Sequence, residues 1–159
     1  MKNHERQVRT DYDKKMLHRY IDTLTEPFSV RFQSAGEKRR SAQNRLMHLW
    51  FKEAAEQGDI DAVEQKSYCK AYFGVPILVA ENEAFRDQYN AIVRPLSYEQ
   101  KLQIMAPPID LPVTSLMTVK QCSVFLNKVW EHYSGMGYQL TDPADLGLDD
   151  LIKRVGDGQ

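Results

Sequence analysis

The segment from Thr118 to Gly137 limits the fold more than any other part of the chain. Cys122, Phe125, Leu126, Val129 and Tyr133 recur at intervals of three and four, so a helix gathers all five on one face. Thr118 offers an N-cap oxygen ahead of the run, and Gly135 and Gly137 end it. A helix with one apolar face must bury it against other elements, so the rest of the sequence has to supply partners of matching pattern.

Several segments do so. Met16, Leu17, Tyr20, Ile21 and Leu24 form the stripe of an amphipathic helix that Pro27 closes off. Phe28 to Gln33 then alternates apolar with polar residues, the pattern of a half-buried strand, and Ser34-Ala35-Gly36-Glu37 reads as the turn leaving it. A helix is predicted from Ser41, as N-cap, to Gln57, with Met47, Trp50 and Ala54 inward and Gly58 past its end. Asp61 caps another, which turns Ala62, Cys69, Tyr72 and Phe73 inward and stops near Gly74. Val75 to Val79, with Pro76 inside it, reads either as an edge strand or as a buried connector. Glu81 to Val93 and Ser97 to Met105 are short helices separated at Pro95. The three prolines between Ala106 and Pro112 make a stiff connector, and Thr141-Asp142-Pro143 starts a last helical turn. The expected fold is α+β: a mostly helical single domain over residues 1–143 with a small antiparallel sheet, followed by a loose acidic C-terminal tail at 144–159.

The length of 159 residues and the apolar content of 42% suit one buried core. No apolar run is long enough to cross a membrane and the N-terminus has no leader pattern, so a soluble, cytoplasmic protein is expected. Cys69 and Cys122 have no metal-ligand spacing and read as two reduced thiols. The net charge of −1 hides a division along the chain. Residues 1–54 carry twelve Lys/Arg against seven Asp/Glu, a balance of +5, and the remainder carries nine against fifteen, a balance of −6. One half therefore faces a polyanion, or the two halves pair with each other.

The basic excess concentrates in Lys38-Arg39-Arg40 and continues through Arg45, His48 and Lys52, which lie three and four residues apart on one helical stripe. Placed at a helix entrance, these cations and the free amides there would both attract phosphates. Gln43 and Asn44 add groups able to bond phosphates or base edges. The DNA-binding candidates are thus Lys38, Arg39, Arg40, Gln43, Asn44, Arg45, His48 and Lys52. Trp50, Tyr68 and Tyr72 are the nearby aromatics that could stack on bases, although their helical spacing places them in a core first. His4, His18, His48 and His132 are scattered, and no phosphate loop, nucleophile elbow or metal-binding spacing is present, so no catalytic residue, metal or cofactor is assigned. Asp142, Asp145, Asp149 and Asp150 suit a helix start and a solvated tail better than a nuclease metal site.

Arg40-Ser41-Ala42-Gln43-Asn44-Arg45 resembles the R-S-x-x-Q-N-R signature of phage Orf (NinB) recombination proteins. Thr114 to Thr118, the helix with Phe125 and Leu126, and Gly137 to Pro143 are similar to the C-terminal pattern of YbcN-type prophage proteins, described as base-flipping. The two matches span residues 28–143. The resemblance implies a dimeric α+β protein that binds single-stranded, gapped or junction DNA and helps load a recombinase in phage recombination, with neither cofactor nor catalysis. It carries over to Arg40, Ser41, Gln43, Asn44 and Arg45. One residue, not two, separates Ser41 from Gln43 here, which turns Arg40 by about 100° about the helix axis and shifts emphasis to Arg45. In the competing structural role, Gln43 and Asn44 bond backbone groups and Arg45 pairs with a carboxylate.

The expectation is a DNA-binding recombination mediator acting as a homodimer on single-stranded, gapped or mismatched DNA, with base flipping as an associated activity. A host or phage recombinase or single-strand-binding protein would be its protein partner. The alternative is an adaptor that binds a host replication or recombination protein through its acidic half, the basic segment serving solubility or dimer pairing.

Overall fold

The computed structural model describes residues 4–151, apart from the side chain of Asp149. Of the acidic tail expected at 144–159, only residues 144–151 lie within the described residues. The chain divides into two compact units, Met1–Gln33 and Ser34–Gln159.

In the first unit, helix α1 (Asp11–Asp22) starts at Thr10, whose hydroxyl accepts from the Asp13 amide while the Asp13 carboxylate accepts from the Thr10 amide. The amides of Arg9 and Thr10 and the Thr10 hydroxyl hold Asp13 below the usual carboxylate range. The Arg6 guanidinium lies 4.2 Å from the centre of the Tyr20 ring. Of the expected stripe, Leu17, Tyr20, Ile21 and Leu24 are half-buried while Met16 is exposed, and no residue of α1 is fully buried.

Phe28 to Gln33 forms no strand, and Val30 and Phe32 are exposed. Among the described residues there is no strand, so the expected antiparallel sheet is absent and the fold is all-α. Alternation makes a strand only where a neighbour completes the hydrogen-bond ladder. The one candidate neighbour, Val75 to Val79, is helical instead.

That run is helical because of what precedes it. The second unit contains α2 (Ala35–Gln57), α3 (Ala62–Cys69), α4 (Val75–Glu81), α5 (Glu83–Gln88), α6 (Tyr98–Met105) and α7 (Val119–Gly135). A π-helical turn at Lys70–Gly74 joins α3 to α4, with the Val75 amide bonded to the Lys70 carbonyl five residues back. Pro76 has no amide to donate, and in a regular helix its ring would strike the Tyr72 carbonyl; the wider turn removes that conflict. A second wide turn, Tyr89–Val93, precedes Pro95 in the same way. Asn82 separates α4 from α5 and caps the latter, so the expected helix from Glu81 to Val93 begins two residues late.

α2 is the central element. Its N-cap is Ser34, in a reciprocal box with Glu37, and not Ser41. The four residues taken for a turn are thus a capping box, Ser-x-x-Glu. At 23 residues the helix is roughly 35 Å long. Its inward side chains Leu46, Met47, Trp50, Phe51 and Ala54 meet Phe125, Leu126, Val129 and Tyr133 of α7, with Leu78, Met105 and Met117 in the same core. Each large side chain buried there contributes roughly 1.5–3 kcal/mol by leaving water.

The inward edge of α2 also binds backbone. Trp50 Nε1 donates to the Thr141 carbonyl at 2.8 Å. The Glu53 carboxylate accepts from the Thr141 amide and hydroxyl. Gln57 both donates to the Gln139 carbonyl and accepts from its amide. Residues 143–151 continue as two 3-10 turns, Pro143–Leu146 and Asp149–Leu151, and Leu151 reaches the core.

Gly74, in the first wide turn, is buried against the connector before α7. A Cβ at this position would lie 2.6 Å from Val113 Cγ1, a short branched side chain with little room to yield. Gly74→Ala should therefore destabilise the protein by about 1–3 kcal/mol through overpacking, seen as a lower midpoint in urea with an unchanged slope.

Candidate nucleic-acid interface

The basic segment lies one to two turns inside α2, not at its entrance. The helix N-terminus is at Ala35, where the Glu37 carboxylate already occupies the first turn. The expected contribution of free terminal amides to anion binding at Lys38–Arg40 is therefore lost; Lys38 itself donates to the Ser34 carbonyl.

Helical geometry then divides the candidate residues. Lys38, Arg45 and Lys52 are seven residues apart, which brings each within about 20° of the last, and all three are exposed. Asn44 and His48 flank them, also exposed. Lys52 stands 4.0 Å from Glu56 in a solvent-screened pair that holds neither side chain firmly. Burial of part of the His48 ring, and then the Lys66 ammonium facing it from α3, lower its tendency to protonate.

Arg39, Arg40 and Gln43 turn toward the protein. Arg39 Nη2 donates to the Asp150 carbonyl at 2.7 Å, and Arg40 Nη2 to the Met117 carbonyl at 3.1 Å. Gln43 is fully buried, and its Nε2 faces the Ser123 hydroxyl at 2.9 Å and the carbonyls of Val119 and Leu151 at 3.1 and 3.2 Å. It thereby takes the structural role of bonding backbone groups. Gln43 Oε1 and Arg39 Nε are buried without a partner, a cost of about 1–3 kcal/mol for each group. Within the R-S-x-x-Q-N-R-like signature, Arg40, Asn44 and Arg45 are exposed, Arg40 with its guanidinium on the Met117 carbonyl.

A cleft of about 440 Å³ opens beside this face. Arg40, Ser41, Asn44 and Met47 of α2 form one wall, Lys66 and Lys70 another, and residues 110–115 with Cys122 the remainder. Lys66, Lys70 and Asp110 were not among the residues singled out by pattern, because a lysine is rarely turned inward. Lys70 is 2% exposed, and its Nζ donates to the Met105 carbonyl and to Asp110 Oδ1, both at 2.7 Å. Burial lowers its proton affinity, while the bond to Asp110 works the other way. Asp110, at a left-handed φ of 47°, is held below the usual carboxylate range by the Lys70 bond and charge. Lys66 is felt by Lys70, Asp110 and His48, so its charge bears on both the cleft and the outward face of α2.

The aromatic residues lie on another face of α3 and the wide turn after it. Tyr68 and Tyr72 stack at 4.4 Å, Tyr68 stacks on His132 at 5.4 Å, and Tyr72 meets Tyr98 edge-on at 6.1 Å. Tyr68 and Tyr72 are two residues beyond Lys66 and Lys70, about 200° around the helix. Trp50 is fully buried against Trp130 and is a core residue. Burial pushes the Cys69 thiol up to about 12 and the Cys122 thiol up to about 11, which keeps both from acting as thiolates near neutral pH. Among the described residues no three His, Cys, Asp or Glu side chains converge as metal ligands, and no helix is long and apolar enough to cross a membrane.

No family model, curated protein or solved structure matches this chain.

The Lys70–Asp110 pair gives a pH-dependent stability of defined sign. A depressed carboxylate contributes stability above its unfolded pKa near 4 and loses it as pH falls through the lower folded value. Asp110→Asn should lower the melting temperature by a few degrees at neutral pH. The gap from the unaltered protein should close as pH falls below about 4, which thermal melts across that range would show.

Proposed function

We propose that this chain is a non-catalytic, cytoplasmic DNA-binding protein that receives single-stranded, gapped or mismatched DNA along the outward face of α2. The observation that carries the reading is the alignment of Lys38, Arg45 and Lys52 on one exposed face, at steps of roughly 10 Å, with Asn44 and His48 alongside. Lysines and arginines in such a row suit a phosphate backbone, and the two neutral side chains can bond phosphate oxygens or unpaired bases. The cations of the adjoining cleft extend the same field.

The resemblance at residues 40–45 to phage Orf-type recombination proteins supports the biological setting: a recombination mediator, working as a homodimer with a recombinase or single-strand-binding protein. Base flipping, in the manner described for the YbcN type, would favour mismatched sites, where unpairing is already partly accomplished.

Arg45→Glu with Lys52→Glu should abolish binding to single-stranded and gapped oligonucleotides at low salt and leave the circular dichroism spectrum unchanged. Against the unaltered protein, affinity should fall steeply with added salt. Full binding by the double variant would defeat the reading. Undetectable binding by the unaltered protein to matched, mismatched and gapped DNA would favour the adaptor alternative.

His48 supplies a second check. Its lowered pKa leaves it neutral at pH 7, so acidification adds a positive charge beside Arg45, Lys52 and Lys66. DNA affinity should rise as pH falls below about 6.5, and Asn44-side contacts being unaltered, His48→Gln should flatten that rise.

A further inference from the structure

We propose that the cleft between α2, the α3–π turn and the connector before α7 is a binding site for a phosphomonoester group. The outward face of α2 is open, whereas this cleft is a bounded cavity of about 440 Å³, within the roughly 300–1,000 Å³ of small-molecule sites. Its charge is unbalanced. Arg40, Lys66 and Lys70 line it against a single carboxylate, Asp110, and that carboxylate is already bonded to Lys70.

The arrangement leaves donors free for a ligand. Lys70 uses two of its three N–H groups on Met105 and Asp110, and Arg40 uses one Nη on Met117. Asn44, Thr114 and Ser115 add neutral polar groups on the same walls. A buried ammonium with its orientation fixed by two bonds is a prepared anion contact, because ordering it costs the ligand nothing. A phosphomonoester near neutral pH carries a charge of about −1.5 to −2, which matches the surplus of cations over Asp110.

The phosphate can come from a free mononucleotide or from a phosphorylated strand end. The second source rests on the DNA-binding reading, since Asn44 borders both the cleft and the outward face of α2. The first source does not.

The test uses the full chain with thymidine 5′-monophosphate, thymidine and inorganic phosphate in calorimetric titrations, and short oligothymidines with and without a 5′- or 3′-phosphate. Thymidine 5′-monophosphate should bind and thymidine should not. Binding should tighten as pH rises through the phosphate's second pKa of about 6. Over that range Asp110, held below the usual carboxylate range by Lys70, stays ionised and the Cys122 thiol, pushed up to about 11, stays neutral. The trend is opposite in sign to that of His48-dependent strand binding, so the two sites are separable.

Lys66→Gln should weaken mononucleotide binding about tenfold, the loss of one charge-assisted contact. Asn44→Ala, at an exposed position, serves the same comparison if that variant does not fold. The Arg45→Glu, Lys52→Glu double variant should retain mononucleotide binding even where strand binding is lost. A preference of about tenfold for one phosphorylated end identifies strand ends as the source; equal oligonucleotide affinities with mononucleotide binding intact identify the free nucleotide. Absence of a heat signal with thymidine 5′-monophosphate and inorganic phosphate alike, or binding indifferent to Lys66→Gln and Asn44→Ala, overturns the proposal.

Discussion

Most of what holds the second unit together passes through the inward edge of α2, and through Gln43 above all. A fully buried amide shares its two N–H groups among a hydroxyl and two carbonyls from α7 and the final 3-10 turn. Arg39 and Arg40 extend the same function on either side, and Trp50, Glu53 and Gln57 repeat it about two to four turns further along. Segments without regular ladders of their own, residues 139–141 and 150–151, thereby have their backbone groups met by side chains from one helix. Burying those groups unpaired would cost more than the net worth of the bonds they now make, which makes the polar edge as restrictive as the apolar face beside it.

This division of labour changes how a basic sequence run is understood. Lys38-Arg39-Arg40 looks uniform when read in line, yet successive residues on a helix point about 100° apart. Lys38 faces out, while its two neighbours reach backbone carbonyls on other segments. The residues left to meet a polyanion are therefore those set by the seven-residue repeat. α3 and the wide turn after it show the same two-sidedness, with Lys66 and Lys70 on the cleft and Tyr68 and Tyr72 in an aromatic cluster on the far side.

Much of the helical frame was legible in the sequence because its signals are local. α7 follows from five apolar residues at regular spacing between Thr118 and two glycines, and the caps at Asp61 and Ser97 lie where side-chain chemistry puts them. What escaped were features decided by tertiary contacts or by competing local motifs. The alternation at Phe28 to Gln33 has no ladder partner. Ser34 to Glu37 satisfies both a turn pattern and a capping box, and only the length of the following helix decides between them. Of the site, Arg45 and Lys52 were legible from helical spacing, whereas the inward aim of Gln43 and the cleft lysines depend on which carbonyls α7 and the connectors happen to present.

The wide turn at Lys70–Gly74 carries one residue more than an α-helix of the same span would need. Gln65 and Cys69 before it and Ile77 and Leu78 after it all reach the core, yet a strict 3.6-residue count puts the two groups out of phase by about 150°. The turn thus works as a register adjustment in the middle of an otherwise continuous rod. In evolutionary terms it is a natural place for a one-residue gap. A relative lacking that residue could keep both ends of the rod packed as they are here, and an alignment that forbids gaps within helices would slide half of this segment past its true counterparts.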